Sequence, residues 1–215
     1  MKKVFWVLLC ITLIPFLCTP AFAVMYHFDD NTINWPGSFS TMPGDINGTP
    51  VISGMDVYVN DATGDLQKIE ISMTGRRVYD GLFINTSSTG GINGFDYYIR
   101  DDRMDNSGHT VYDISGGYSF TYATSGRVGH QNGIADLALK PIVNDLLSSL
   151  IWDSTNSLLI YTFSGGINVG NSFIIGYTPD CANDVILTPE PSVALFLGSL
   201  FLGLGVLGRR RFLKR

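Results

Sequence analysis

Between residues 24 and 188, the groups able to do acid–base, nucleophilic or metal chemistry include His27, His109, His130, Cys181, 17 aspartates and a single glutamate. No histidine stands at metal-ligand spacing from another histidine or a cysteine, so the sequence carries no zinc pattern. There is no Gly-x-Ser-x-Gly elbow, P-loop or dinucleotide fingerprint in this stretch, and Cys181 has no identifiable base beside it. His130, between glycine-bearing turns, is expected to be a structural or exposed loop residue. Asp101, Asp102 and Asp105, with Asn106 beside them and Asp96 upstream, crowd one expected hairpin loop. Oxygen-rich loops suit Ca²⁺, which takes six to eight oxygen ligands. Arg103 and Met104 break the EF-hand pattern, so a Ca²⁺ site there stands against a solvated acidic turn, and Asp61 and Asp65 beside Gly64 make a sparser candidate. Paired carboxylates also serve glycoside hydrolysis, but with 17 aspartates available the sequence singles out no pair.

These groups must be positioned by strands. Ile69, Ile71 and Met73 alternate with Glu70, Ser72 and Thr74, and Tyr118, Phe120 and Tyr122 alternate with Ser119, Thr121 and Ala123. Leu159, Tyr161 and Phe163 fall on one face, and Phe173, Ile175 and Tyr177 repeat the pattern. Residues 51–60, 82–85, 95–100 and 110–115 are further strand candidates. Turn signals separate them, among them Thr63-Gly64-Asp65, Asn93-Gly94, Gly116-Gly117 and Ser164-Gly165-Gly166. Short strands at this spacing predict an all-β fold, an antiparallel β-sandwich that is jelly-roll-like. The one helix expected covers 142–150, with a strand over 147–152 as the competing reading, and the opening stretch 25–49 is expected to be irregular.

Charge divides the chain of 215 residues into three segments. Residues 24–188 hold 7 Lys and Arg against 18 Asp and Glu, a formal balance of −11, which makes them a poor partner for phosphate backbones and argues against nucleic-acid binding. The other basic residues sit at the two ends, beside apolar runs. At the N-terminus, Lys2 and Lys3 precede an apolar stretch of 14 residues, Val4 to Leu17, too short to span a bilayer comfortably. Ala21 and Ala23 then give the small-x-small pattern that signal peptidase reads, so residues 1–23 are expected to be a signal peptide cleaved after Ala23. Leu17 before Cys18 is too large for lipoprotein processing. Loss of Cys10 and Cys18 with the signal would leave Cys181 as the lone cysteine, expected as a half-buried small residue, with a linked dimer or a reactive thiol as the competing readings.

At the other end, Pro189-Glu190-Pro191 is followed by an uncharged stretch from Ser192 to Gly208 and then Arg209, Arg210 and Arg211. As a helix, 192–208 would be about 25 Å long, at the short limit for a transmembrane span. The arginines would lie in the cytoplasm and everything before Pro189 outside, the orientation the signal peptide also demands. Prolines 189 and 191 keep the tripeptide extended, a conformation a protease site can accept without unwinding it.

This ordered set over residues 189–215 resembles the PEP-CTERM sorting signal. The resemblance implies that an exosortase recognises Pro189, Glu190 and Pro191 and cleaves near them, releasing the protein from its inner-membrane anchor. Members of that family are exported by bacteria that make extracellular polysaccharide. Two stretches, Gly126-Arg127-Val128-Gly129-His130-Gln131-Asn132-Gly133-Ile134 and Cys181-Ala182-Asn183-Asp184-Val185-Ile186, are also similar to a subgroup of such surface proteins with an all-β ectodomain. The expected organisation is a signal peptide at 1–23, an all-β ectodomain at 24–188 and a sorting segment at 189–215. The expected partners are signal peptidase and the secretion machinery, the exosortase, the inner membrane and extracellular polysaccharide. The ectodomain is read as a non-catalytic surface or matrix module that binds carbohydrate through exposed aromatics such as Trp35, Tyr97, Tyr98 or Trp152. The competing reading is a secreted hydrolase acting on extracellular polysaccharide.

Overall fold

Alternating burial builds most of the strands. In β3 (Leu66–Met73), Leu66, Ile69, Ile71 and Met73 are buried while Lys68, Glu70 and Ser72 are not. In β10 (Leu158–Phe163), Leu159, Tyr161 and Phe163 are buried in the same rhythm. A strand with one apolar face lies against a core, and these two lie side by side, with Ile71 opposite Leu159 and Ile69 opposite Tyr161. The computed structural model describes residues 23–30, 48–76, 80–87, 94–101, 108–126, 128–170, 172–182, 184 and 186–188.

Two five-stranded antiparallel sheets result. The first has the order β1 (Ala23–Asp29), β2 (Ile52–Asn60), β3, β10, β9 (Leu147–Asp153). The second has the order β12 (Ile186–Leu187), β11 (Ile174–Thr178), β4 (Asp80–Asn85), β5 (Tyr97–Asp101), β6 (His109–Asp113). Val57, Ile69, Ile71 and Leu159 of the first sheet share one fully buried core with Leu82, Ile84, Ile99 and Ile175 of the second, the layering of a β-sandwich. Each such aliphatic side chain stabilises the fold by about 1.5–3 kcal/mol relative to its exposed state. The strand order corrects the jelly-roll expectation. β11 returns beside β4 to give the Greek-key order β11-β4-β5-β6, but the first sheet is a β1-β2-β3 meander extended by the β9–β10 hairpin. A jelly roll needs two such keys.

The second sheet is covered on both faces, which is why β4 and β11 are buried along their whole length and do not alternate. Its outer cover is the small hairpin of β7 (Phe120–Tyr122) and β8 (Gln131–Ile134), whose Ala123 and Ile134 join Phe83, Phe95, Tyr98, Ile114, Ile174 and Ala182 in a second core. The C-terminal end of the described chain crosses both sheets. The Ile52 N–H donates to Asp184 Oδ2 at 2.5 Å, and the Ile175 N–H donates to Thr188 Oγ1 at 2.9 Å.

Two local expectations change. The opening stretch is not all irregular, because Ala23–Asp29 pairs with β2 along its whole length. Tyr26 and Phe28 turn inward and meet the Phe173 ring edge-on at 5.5 and 6.2 Å, and that aromatic contact pins the strand. The helix expected over 142–150 is a single 3₁₀ turn, Asn144–Leu146, followed by β9. Pairing with β10 captures Leu147 and Leu150 on the core side, a tertiary gain that a short helix there would forgo. Ala21, Trp35, Asp102, Asp105, the Pro189-Glu190-Pro191 motif, the 192–208 segment, and Arg209, Arg210 and Arg211 lie outside the described residues. Among the described residues no helix is long and apolar enough to cross a membrane.

Candidate functional site

Successive β5 side chains point to opposite faces of the second sheet, so Tyr97, Ile99 and Asp101 face the inter-sheet core while Tyr98 and Arg100 face the β7–β8 hairpin. Tyr98 lies beneath the hairpin, 2% exposed, in a slot kept open by two glycines. A Cβ on Gly81 of β4 would fall 2.7 Å from Tyr98 Cε2, and one on Gly133 of β8 would fall 3.2 Å from its hydroxyl and 2.9 Å from Thr121 Oγ1. Gly81 thus leaves room for the Tyr98 ring within the sheet, and Gly133 lets the hairpin approach that ring closely.

A cleft of about 340 Å³ opens at the rim of this contact, with a polar side formed by Tyr98, Arg100, Thr121, Asn132, Gly133 and Asp180. Ile134 and Leu137 form its apolar wall. Asn132 organises the polar side: it accepts from Thr121 Oγ1 at 3.0 Å, and its Nδ2 donates both to the Asp180 carbonyl and, at 3.2 Å, to Asp180 Oδ1. The first of the sequence stretches set apart above reaches the cleft through Asn132, whose partner Asp180 directly precedes Cys181 of the second. Cys181 itself is half-buried. His130, expected in a structural or exposed loop, is buried at 3% exposure beneath the hairpin, where its carbonyl accepts from the Ala123 N–H.

A second polar cluster lies on the opposite face, inside the inter-sheet core. Asp101 is the last residue of β5 and is fully buried, not an open loop ligand, and its Oδ2 pairs with Arg76 Nη2. Asp80 stands directly opposite Asp101 in the β4–β5 register and is equally buried. Burial, reinforced by the Asp80 carboxylate, pushes the phenols of Tyr161 and Tyr177 well above the usual tyrosine range. These carboxylates are adjacent in the sheet and both fully buried. Asp65 is committed too, accepting from Asn168 Nδ2 at 3.2 Å. No group of three or more His, Cys, Asp or Glu among the described residues is arranged to hold a metal ion.

Three of the four aromatics expected to be exposed lie among the described residues. Tyr98 is buried, and Tyr97 and Trp152 are half-buried against the main core. The cleft residues Arg100, Thr121, Asn132, Gly133 and Asp180 were not legible as a set, because they come from four separate chain segments. The available signal was Asn132-Gly133 within a strand, where a glycine marks a close approach of another element. No protein-family model, curated protein or solved structure matches the chain.

Proposed function

We propose that this chain is an exported surface protein, led out by residues 1–23, held in the inner membrane by 192–208, and processed by an exosortase at Pro189, Glu190 and Pro191. Its β domain would act outside the cytoplasm, at the cell surface or in the extracellular matrix, as a non-catalytic module for extracellular polysaccharide. Sorting is supported by the order of features along the sequence: basic residues and a short apolar run, Ala21 and Ala23, the Pro-Glu-Pro tripeptide, an uncharged stretch and the Arg209-Arg210-Arg211 cluster.

The observation that carries the binding reading is the contrast between two polar sites. The open cleft offers hydroxyl, amide, guanidinium and carboxylate groups with one carboxylate, Asp180, among its described lining residues. One carboxylate pair among the described residues, Asp80 and Asp101, is buried on the far side of the sheet. Glycoside hydrolysis needs two carboxyl groups flanking one bond, so this separation supports binding over the competing hydrolase reading.

A variant with Pro189→Ala and Pro191→Ala, expressed in the native host, tests the sorting half. It is expected to stay full length in the inner-membrane fraction while the parent chain is released from it. Identical partitioning of the two would overturn the exosortase reading.

A further inference from the structure

We infer that the cleft between Arg100 and Asp180 binds one neutral glycosyl unit, with vicinal hydroxyls on these two side chains and the C–H face of the ring against Ile134 and Leu137. The inference rests on the polysaccharide reading above and adds the place and the charge class of the ligand.

The cleft's volume of about 340 Å³ lies at the small end of ligand sites, which run from roughly 300 to 1,000 Å³, and suits a single sugar ring rather than an extended chain. Its chemistry has both halves that a sugar presents. A guanidinium only donates and a carboxylate only accepts, whereas each sugar hydroxyl does both, so adjacent hydroxyls can be held between Arg100 and Asp180. Asp180 is exposed but does not swing freely, because Asn132 holds both its carbonyl and its carboxylate, and Thr121 in turn holds Asn132. Asn132 is thus a positioning residue, and its pre-set geometry lowers the ordering cost of binding.

Charge argues for a neutral ligand. Among the described lining residues Arg100 and Asp180 balance each other, and residues 24–188 as a whole carry a formal −11, a field that repels carboxylated sugars. A nucleobase is disfavoured, since Tyr98, the one aromatic ring among the described lining residues, is 2% exposed and leaves little ring face to stack on.

Calorimetric titration of the full-length protein, in a detergent without a sugar headgroup, provides the test. The probes are the methyl glycosides of glucose, galactose and mannose, with glucuronic acid as the anionic comparison. At least one neutral probe is expected to bind, glucuronic acid more weakly. Asp180→Asn and Arg100→Gln should each weaken the neutral probe at least tenfold, and Asp61→Asn, at an exposed turn, should leave it unchanged. Thermal midpoints of the variants check that they fold. Undiminished binding by both cleft variants would overturn the cleft assignment while the polysaccharide reading survives. Tighter binding of glucuronic acid would overturn the neutral class alone. No binding by any of the four sugars would overturn both.

Discussion

Asn132 Nδ2 donates to Asp180 Oδ1 at 3.2 Å, joining residues 48 positions apart and fastening the β7–β8 hairpin to the chain leaving β11. That bond sets one edge of the polar cleft, and the glycines around Tyr98 set its floor.

Gly133→Ala should therefore be costly. The new methyl would meet Thr121 Oγ1 at 2.9 Å and Tyr98 Oη at 3.2 Å, and overpacking of this kind destabilises by about 1–3 kcal/mol. Gly116→Ala, where a Cβ would meet nothing within 4 Å, is the control and should stay within about 0.5 kcal/mol of the parent. Denaturant melts of the two variants check the difference.

The buried Arg76–Asp101 pair gives a second expectation. Arg76→Met leaves the sealed Asp101 carboxylate without its guanidinium, a change that typically costs about 3–5 kcal/mol. Combining it with Asp101→Leu removes both charges, so the double variant should be more stable than Arg76→Met. A double-mutant cycle in urea measures the coupling.

Tyr58 donates to Glu70 Oε2 at 2.8 Å, and Lys68 caps the same carboxylate and lies 4.0 Å from the Tyr58 ring centroid. The hydrogen bond to Glu70, foremost, lifts the Tyr58 phenol to about 12 from 10.0. Because the fold favours the neutral phenol, its contribution is present below pH 10.0 and is lost as pH rises toward about 12. Glu70→Gln should bring one late-titrating tyrosine back toward the ordinary range in a phenolate absorbance titration.

His27 lies on the solvent face of β1 with Nδ1 2.6 Å from Asp56 Oδ1 and Nε2 3.4 Å from Asp29 Oδ1. The hydrogen bond to Asp56, foremost, raises the imidazole above 6.5. The stabilisation is complete below pH 6.5 and fades as pH climbs through the raised folded value. Asp56→Asn should flatten this slope in thermal midpoints recorded between about pH 5 and 8, with only a small change because the pair is exposed.

What could be read from the sequence follows from how many faces of a strand are buried. β3 and β10 have one core face, so their period-2 pattern was plain in Ile69, Ile71 and Met73 and in Leu159, Tyr161 and Phe163. β11 gave the same alternation in Phe173, Ile175 and Tyr177, but Ile174 and Gly176 between them are buried too, because a second core lies on that side. β1 was hidden by the Asn-, Gly- and Pro-rich stretch that follows it, although Tyr26 and Phe28 already alternate with Met25, His27 and Asp29.

The site was less legible than the fold, for a topological reason. Arg100, Thr121, Asn132 and Asp180 share no local pattern and meet only because the hairpin folds back over the outer face of the second sheet. Alternation along β5 separates Tyr98 from Asp101, neighbours but two in the sequence, so that one faces the hairpin and the other the sealed core.

Sorting at the Pro189-Glu190-Pro191 motif is the central claim, and intact mass of the protein recovered from its native host, with and without the candidate exosortase, tests it most directly. The account predicts a chain that starts after Ala23 and ends near Pro191 only when the enzyme is present. A chain that still ends at Arg215 in both strains would contradict it.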